Sequence, residues 1–227
     1  MEFLEILEHV GQLGIYTVLG AVFVYAALVG INFLKELGKR RLERVETPSH
    51  SETVKTRLRI TPEVKSVLKE LLLHTHASRA YVFEFHNGKT SIGGLPFIYM
   101  SNTYEVLGPT ASSQTHARQQ MPFTLFDSLI SQVIRRDAVT IDLRNRSEDI
   151  DPIVYETLDK RGTTVMIGTK LQDEHKRVIG FLGVDFCDDQ GAALVGTGES
   201  ALAEIERIVF REAQALSTLL YVKITHD

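Results

Sequence analysis

Glu84 and His86 stand one residue apart in RAYVFEFH (79–86), and Asp185 closes the apolar run RVIGFLGVDFC (177–187). A histidine with two carboxylates can bind a metal, hold a cationic or hydroxylated ligand, or act as a general base. Strand alternation puts Tyr81, Phe83 and Phe85 on one face, and Val82, Glu84 and His86 on the other. In the second run Val178, Leu182, Val184 and Phe186 share a face, while Gly183 and Asp185 share the opposite one. If both apolar sets pack beneath helices, Glu84, His86 and Asp185 gather on the far face, next to Gly183, where no side chain blocks an approach. The blander reading is a set of solvated residues on an open sheet face, or residues that pair with neighbours to tie down loops. After His86, Asn87-Gly88 supplies positive-φ residues for a turn, and Gly93-Gly94 a second change of direction before Pro96. That loop would rim the same face. The candidate ligand-binding set is therefore Glu84, His86, Asn87, Gly88, Gly183 and Asp185. No catalytic and no metal-ligating residue is assigned, and no cofactor is named.

Other chemistry is faint. The chain has no G-x-S-x-G elbow, no G-x-x-x-x-G-K-[ST] loop and no H-E-x-x-H pair. Ser112, Ser113 and His116 lie in a polar stretch and read as lid or linker. GTGES (196–200) is sited to cap a helix, and capping alone explains it without a bound anion. The single cysteine, Cys187, excludes a disulfide framework within one chain. The expectation is a protein that is not an enzyme.

The elements that must hold these residues begin with an apolar stretch. Residues 13–34, LGIYTVLGAVFVYAALVGINFL, carry no charge and as a helix would extend about 33 Å, enough to cross a bilayer. The flank before it contains Glu2, Glu5 and Glu8. The flank after it contains Lys35, Lys39, Arg40, Arg41 and Arg44, with no small-residue cleavage site. That pattern predicts a retained transmembrane helix, with the short N-terminus (1–12) outside and the rest in the cytosol. Small residues in the span suit self-association. Residues 35–60 read as a juxtamembrane helix followed by a linker, with TPSHS (47–51) as its turn. The net charge of −4 gives no reason to expect a nucleic-acid partner.

A folded domain is expected over 61–227. Thr61-Pro62-Glu63 has the form of a helix start, and Val64, Leu68 and Leu71 give that helix an apolar face. Strands are expected over 79–86, 97–107 and 138–143, and helices over 123–136 and 151–162. The runs 163–171 and 177–187 form a hairpin across 172–176, and a long amphipathic helix covers 197–220. This order suits an α+β domain, one antiparallel sheet with the first and last helices packed on one face.

The layout from Thr61 to Leu220, and above all RVIGFLGVDFC followed by a long helix, resembles a GAF domain, a relative of the PAS fold. Gly180, Leu182 and Val184 fit the closing-strand pattern of that family. FEFHNG…GGLPF…MSNTYE is also similar to uncharacterised single-pass membrane proteins of phages and bacteria. The GAF resemblance implies a small-molecule pocket on the sheet face away from the terminal helices, and no ligand motif of the cyclic-nucleotide branch is matched. The functional expectation is a non-enzymatic sensor or adaptor, anchored in the cytoplasmic membrane, that binds a small molecule or a protein partner as a homo-oligomer. The rival is a structural or interaction membrane protein, of phage-envelope or holin type, whose fold binds no ligand.

Overall fold

The computed structural model describes residues 29–33, 35, 50–90, 96–109, 111–187, 189, 193 and 198–221. The chain divides into two units, Met1–Thr53 and Val54–Asp227. In the first unit, residues 29–33 are helical. The remainder of the expected membrane span and the N-terminal segment lie outside the described residues, as does all of 35–49 but Lys35. Among the described residues no helix is long and apolar enough to cross a membrane.

Helix α1 runs His50–Thr75 and carries Pro62 in its interior. The Thr61-Pro62-Glu63 signal therefore does not start a helix, and of the expected turn over 47–51 the described residues, His50 and Ser51, are helical. Upstream of Pro62, Lys55, Arg57, Leu58 and Arg59 are good helix formers, and the helix continues through them. Proline removes one backbone donor at a typical cost of about 3 kcal/mol. Here the Thr61 hydroxyl donates to the Arg57 carbonyl at 2.7 Å instead of capping.

The strands are β1 (Arg79–Thr90), β2 (Pro96–Leu107), β3 (Met121–Pro122), β4 (Val139–Asp142), β5 (Val165–Gln172) and β6 (Val178–Phe186). The further helices are α2 (Asp127–Arg135), α3 (Pro152–Asp159) and α4 (Glu199–Leu220). All strands join one antiparallel sheet in the order β3-β2-β1-β6-β5-β4. The β5–β6 hairpin and the long last helix are as expected, and the two-residue β3 is an addition. His86-Asn87-Gly88 does not turn. β1 continues through it to Thr90, because β2 keeps pairing there (Asn87 with Ile98), with an irregularity between Asn87 and Thr90.

Both faces of the sheet are buried. On one, Val82, Leu182, Val184 and Ile167 pack against Val64, Leu68 and Leu71 of α1 and Ile205, Val209 and Leu216 of α4. On the other, Tyr81, Phe83, Phe181 and Met166 lie beneath Leu129, Ile130 and Val133 of α2 and Val154 and Leu158 of α3. The α+β expectation, with first and last helices on one face, holds. The middle helices cover the other face, and this is what the strand pattern concealed.

Candidate pocket and buried ion network

The functional geometry starts with a strand pair. Antiparallel register sets Arg79 opposite Asp185, Tyr81 opposite Gly183 and Phe83 opposite Phe181. All six point to the face under α2 and α3, since partners across a ladder share a face. The Arg79 and Asp185 side chains are fully buried and joined at 2.6 Å, from Nη1 to Oδ2. The Asp185 carboxylate also accepts from the Tyr81 hydroxyl at 2.8 Å and the Thr163 hydroxyl at 3.0 Å. Arg161 Nη1 lies 3.6 Å from the same Oδ2. Burial, reinforced by the Asp185 charge, raises the Tyr81 phenol well above its ordinary value, so it stays protonated and donates. Burial draws the Arg79 guanidinium down, but Asp185 more than offsets it and the net direction is up.

A register shift in the β1–β2 ladder decides what lies beside this pair. It falls between Val82, opposite Tyr104, and Phe83, opposite Asn102. The extra residue, Thr103, sends Tyr104 to the α1–α4 side and Glu105 to the pocket side. Glu105 Oε1 then sits 3.6 Å from Arg79 Nε. Its Oε2 accepts from the Ser113 hydroxyl at 2.7 Å, the Gln114 amide at 2.9 Å and the Thr115 hydroxyl at 2.9 Å. Arg79 Nη2 donates to the Ser112 carbonyl at 3.1 Å. The polar stretch expected to be a lid or linker is thus pinned by its own serines to a buried ion pair, while His116 is exposed.

That pinned segment leads directly to Arg118, in a 3-10 turn at His116–Arg118. Arg118 is only 3% exposed. Its guanidinium lies over the Tyr81 ring, 5.5 Å from the centroid, a cation–π arrangement. Among the described residues, neither Nη1 nor Nη2 of Arg118 has a hydrogen-bond partner, and Arg161 Nη1 also lacks one. Both arginines line one cavity with Phe83, Phe181, Phe126 and Met100. Its free volume is about 20 Å³, room for about one water.

The sequence-derived set does not assemble. Gly183 and Asp185 lie on the pocket face, but Glu84 points to the opposite one, where Arg57 of α1 grips it at 2.7 and 2.8 Å. Glu84 is also five residues along β1 from Arg79, the partner of Asp185, about 16 Å. His86 is exposed, with Nε2 2.9 Å from the Ser101 hydroxyl and its ring stacked on Tyr99. Asn87 is exposed and Gly88 stays in the strand. Nor is Gly183 an open approach. A Cβ there would come within 2.5 Å of the Tyr81 ring, which covers it. The expectation placed the Phe83 set and the Val184 set under the same helices, whereas the register puts them on opposite faces.

Burial raises the Cys187 thiol, though Arg79 pulls it partway back, so it is a poor nucleophile at neutral pH. Among the described residues no group of three His, Cys, Asp or Glu side chains could hold a metal ion.

No protein-family model matches the chain, and no curated protein is detectably similar to it. Solved structures are similar in shape. A far-red cyanobacteriochrome photoreceptor superposes with a TM-score of 0.51 at 12% identity, over 82% of this chain and 98% of that one. The blue-light-absorbing form of the Thermosynechococcus elongatus PixJ GAF domain gives 0.50 at 10% identity, over 77% and 92%. The GAF domain/HD domain protein from Geobacter sulfurreducens gives 0.47 at 15% identity, over 71% and 95%. At such identities the likeness is one of fold, and the curled antiparallel sheet flanked by helices on both faces is a GAF-type architecture.

Proposed function

We propose that this chain is a sensor that binds a small molecule between the sheet and helices α2 and α3, without transforming it. The observation that carries the reading is the cavity lined by Phe83, Phe181 and Phe126 and edged by two arginine side chains with vacant donors. Apolar walls with a few placed polar groups are the usual form of a ligand site. The GAF-fold neighbours include a photoreceptor, which supports a sensory role by analogy of fold. Gly183 and Asp185 belong to the floor of this face. Glu84, His86, Asn87 and Gly88 fall outside the proposed site.

The charge asymmetry around residues 13–34 supports anchoring by a single helix, with the sensor domain on the cytosolic side of the cytoplasmic membrane. Any signal would leave through self-association or a protein partner. A second reading, an interaction or structural membrane protein that binds nothing, is favoured by the tightness of the same cavity, about 20 Å³.

A thermal-shift screen of the full-length chain in detergent micelles separates the two. A nucleotide or metabolite that binds the folded state raises the midpoint with its concentration. If a broad panel gives no shift, and the side chains lining the cavity stay closed in every condition, the sensor reading fails. Carbonate-resistant recovery in the membrane fraction tests the anchor.

A further inference from the structure

Resting on that reading of the pocket, we infer that its ligand is a small organic anion. One carboxylate or phosphoryl group is held by Arg118 and Arg161, and an apolar or aromatic body sits against Phe83 and Phe181 once the lining side chains part, since the closed cavity has room for about one water.

Charge balance leads to this. Among the described residues, three guanidinium groups are buried or nearly so on the pocket face: Arg79 and Arg118, and Arg161 with its side chain 9% exposed. On that face only two buried carboxylates among the described residues answer them, Asp185 and Glu105, whose side chains are 0% and 3% exposed. Arg79 takes both carboxylates, and Arg161 shares Asp185 at 3.6 Å. Arg118 joins no salt bridge among the described residues. A buried cation without a partner is strongly disfavoured, and a ring face compensates it only in part.

The hydrogen-bond inventory narrows the class further. The Tyr81 hydroxyl proton goes to Asp185 and the Thr157 hydroxyl proton to the Ile153 carbonyl. The Arg161 Nε proton goes to the Thr157 carbonyl. The donors that remain toward the cavity are guanidinium N–H groups, while the Tyr81 and Thr157 hydroxyl oxygens keep acceptor lone pairs. Two positively charged forks favour an anion over a neutral ligand and disfavour a cation, and their planar shape suits a carboxylate or phosphoryl group. The remaining walls are aromatic rings and the methionines Met100, Met121 and Met166, which adapt to an apolar body of varied shape.

The test uses the full-length chain in detergent micelles, labelled at arginine, and a fragment set pairing each aromatic carboxylate and phosphonate with its neutral amide, benzoate and benzamide among them. Saturable binding of the acids is expected, with movement of the Arg118 and Arg161 Nε–Hε resonances. Each amide should bind at least about tenfold more weakly, and R118M should weaken the acids by about 10- to 100-fold. Because Arg118 has the Tyr81 ring but no ion pair or Nη hydrogen bond among the described residues, unliganded R118M should melt no lower than wild type. If the amides bind as well as the acids, the anion inference is overturned and the pocket reading stands. If neither acids nor amides move any cavity resonance, both are overturned. If R118M melts well below wild type, the guanidinium is already partnered and the anion inference falls. Preference for phosphonates over carboxylates, or the reverse, identifies which anion the fork is built for.

Discussion

Replacing Asp185 with asparagine keeps the size and shape of the side chain but removes the charge that Arg79 is paired with. The carboxylate takes three hydrogen bonds, from Arg79, Tyr81 and Thr163, and has Arg161 at 3.6 Å. An asparagine offers one acceptor oxygen, and its amide group presents N–H to donors. Arg79 would keep only Glu105, at 3.6 Å, and the Ser112 carbonyl. Breaking one partner from a buried pair typically costs about 3–5 kcal/mol. Against a domain stability of about 5–15 kcal/mol, D185N should lower the melting midpoint by about 6–20 °C, at roughly 2–4 °C per kcal/mol for a chain of this size. Near-ultraviolet circular dichroism suits the measurement, because the chain has seven tyrosines and no tryptophan, and Tyr81 is bonded to the mutated group. In R79M/D185N the two losses should be clearly less than additive. A D185N protein within about 1 kcal/mol of wild type would refute the reasoning, since Arg79 would then have another partner or solvent.

A Cβ at Gly180 would overlap the Phe83 carbonyl oxygen in the neighbouring strand, so G180A should destabilise by about 1–3 kcal/mol or more, read as a lower melting midpoint. E84Q breaks the clasp to Arg57, whose side chain is 47% exposed, and the loss should stay within about 1 kcal/mol in the same assay. The Asp173 carboxyl in the β5–β6 turn is opposed by desolvation, but the Arg177 and His175 amides and the Arg177 side chain hold it below its ordinary value. A depressed folded value stabilises above the unfolded one, about 3.9, and that stability is lost as pH falls through the folded value. Melting curves of wild type and D173N should therefore differ most near neutrality and converge in acid.

The fold was readable because its hydrophobic periods are long and its turns well marked. Leu68, Leu71, Val209 and Leu216 recur at helical spacing, and the QDEHK turn separates two apolar runs of strand length. The site was harder to read for a physical reason. Alternation assigns residues to faces only relative to their own strand, and both faces of this sheet are apolar. In β1, Tyr81 and Phe83 look as core-like as Ala80 and Val82, so nothing local says which set meets the terminal helices. That depends on the register with β6, a contact between residues a hundred positions apart. Arg118 and Arg161 gave no local signal either. One lies in a polar stretch and the other beside Gly162, and a buried arginine is written like a solvated one. Gly183 was the available clue, since a glycine in a strand often marks the close approach of a large side chain. The side chain proved to be that of Tyr81.

The strand order also constrains how the protein is made. β1 lies at the centre of the sheet, yet one of its two neighbours is β6, and Arg79 meets Asp185. A ribosome adding about 5–20 residues per second needs about 5–20 s to go from one to the other. Throughout that interval Tyr81 and Phe83 have neither Gly183 and Phe181 beside them nor the complete core around them. The β1–β2 hairpin is born with an open, aromatic edge. Chains stopped anywhere before β6 should be captured by chaperones or aggregate, and release from that state should coincide with the emergence of Val178–Phe186.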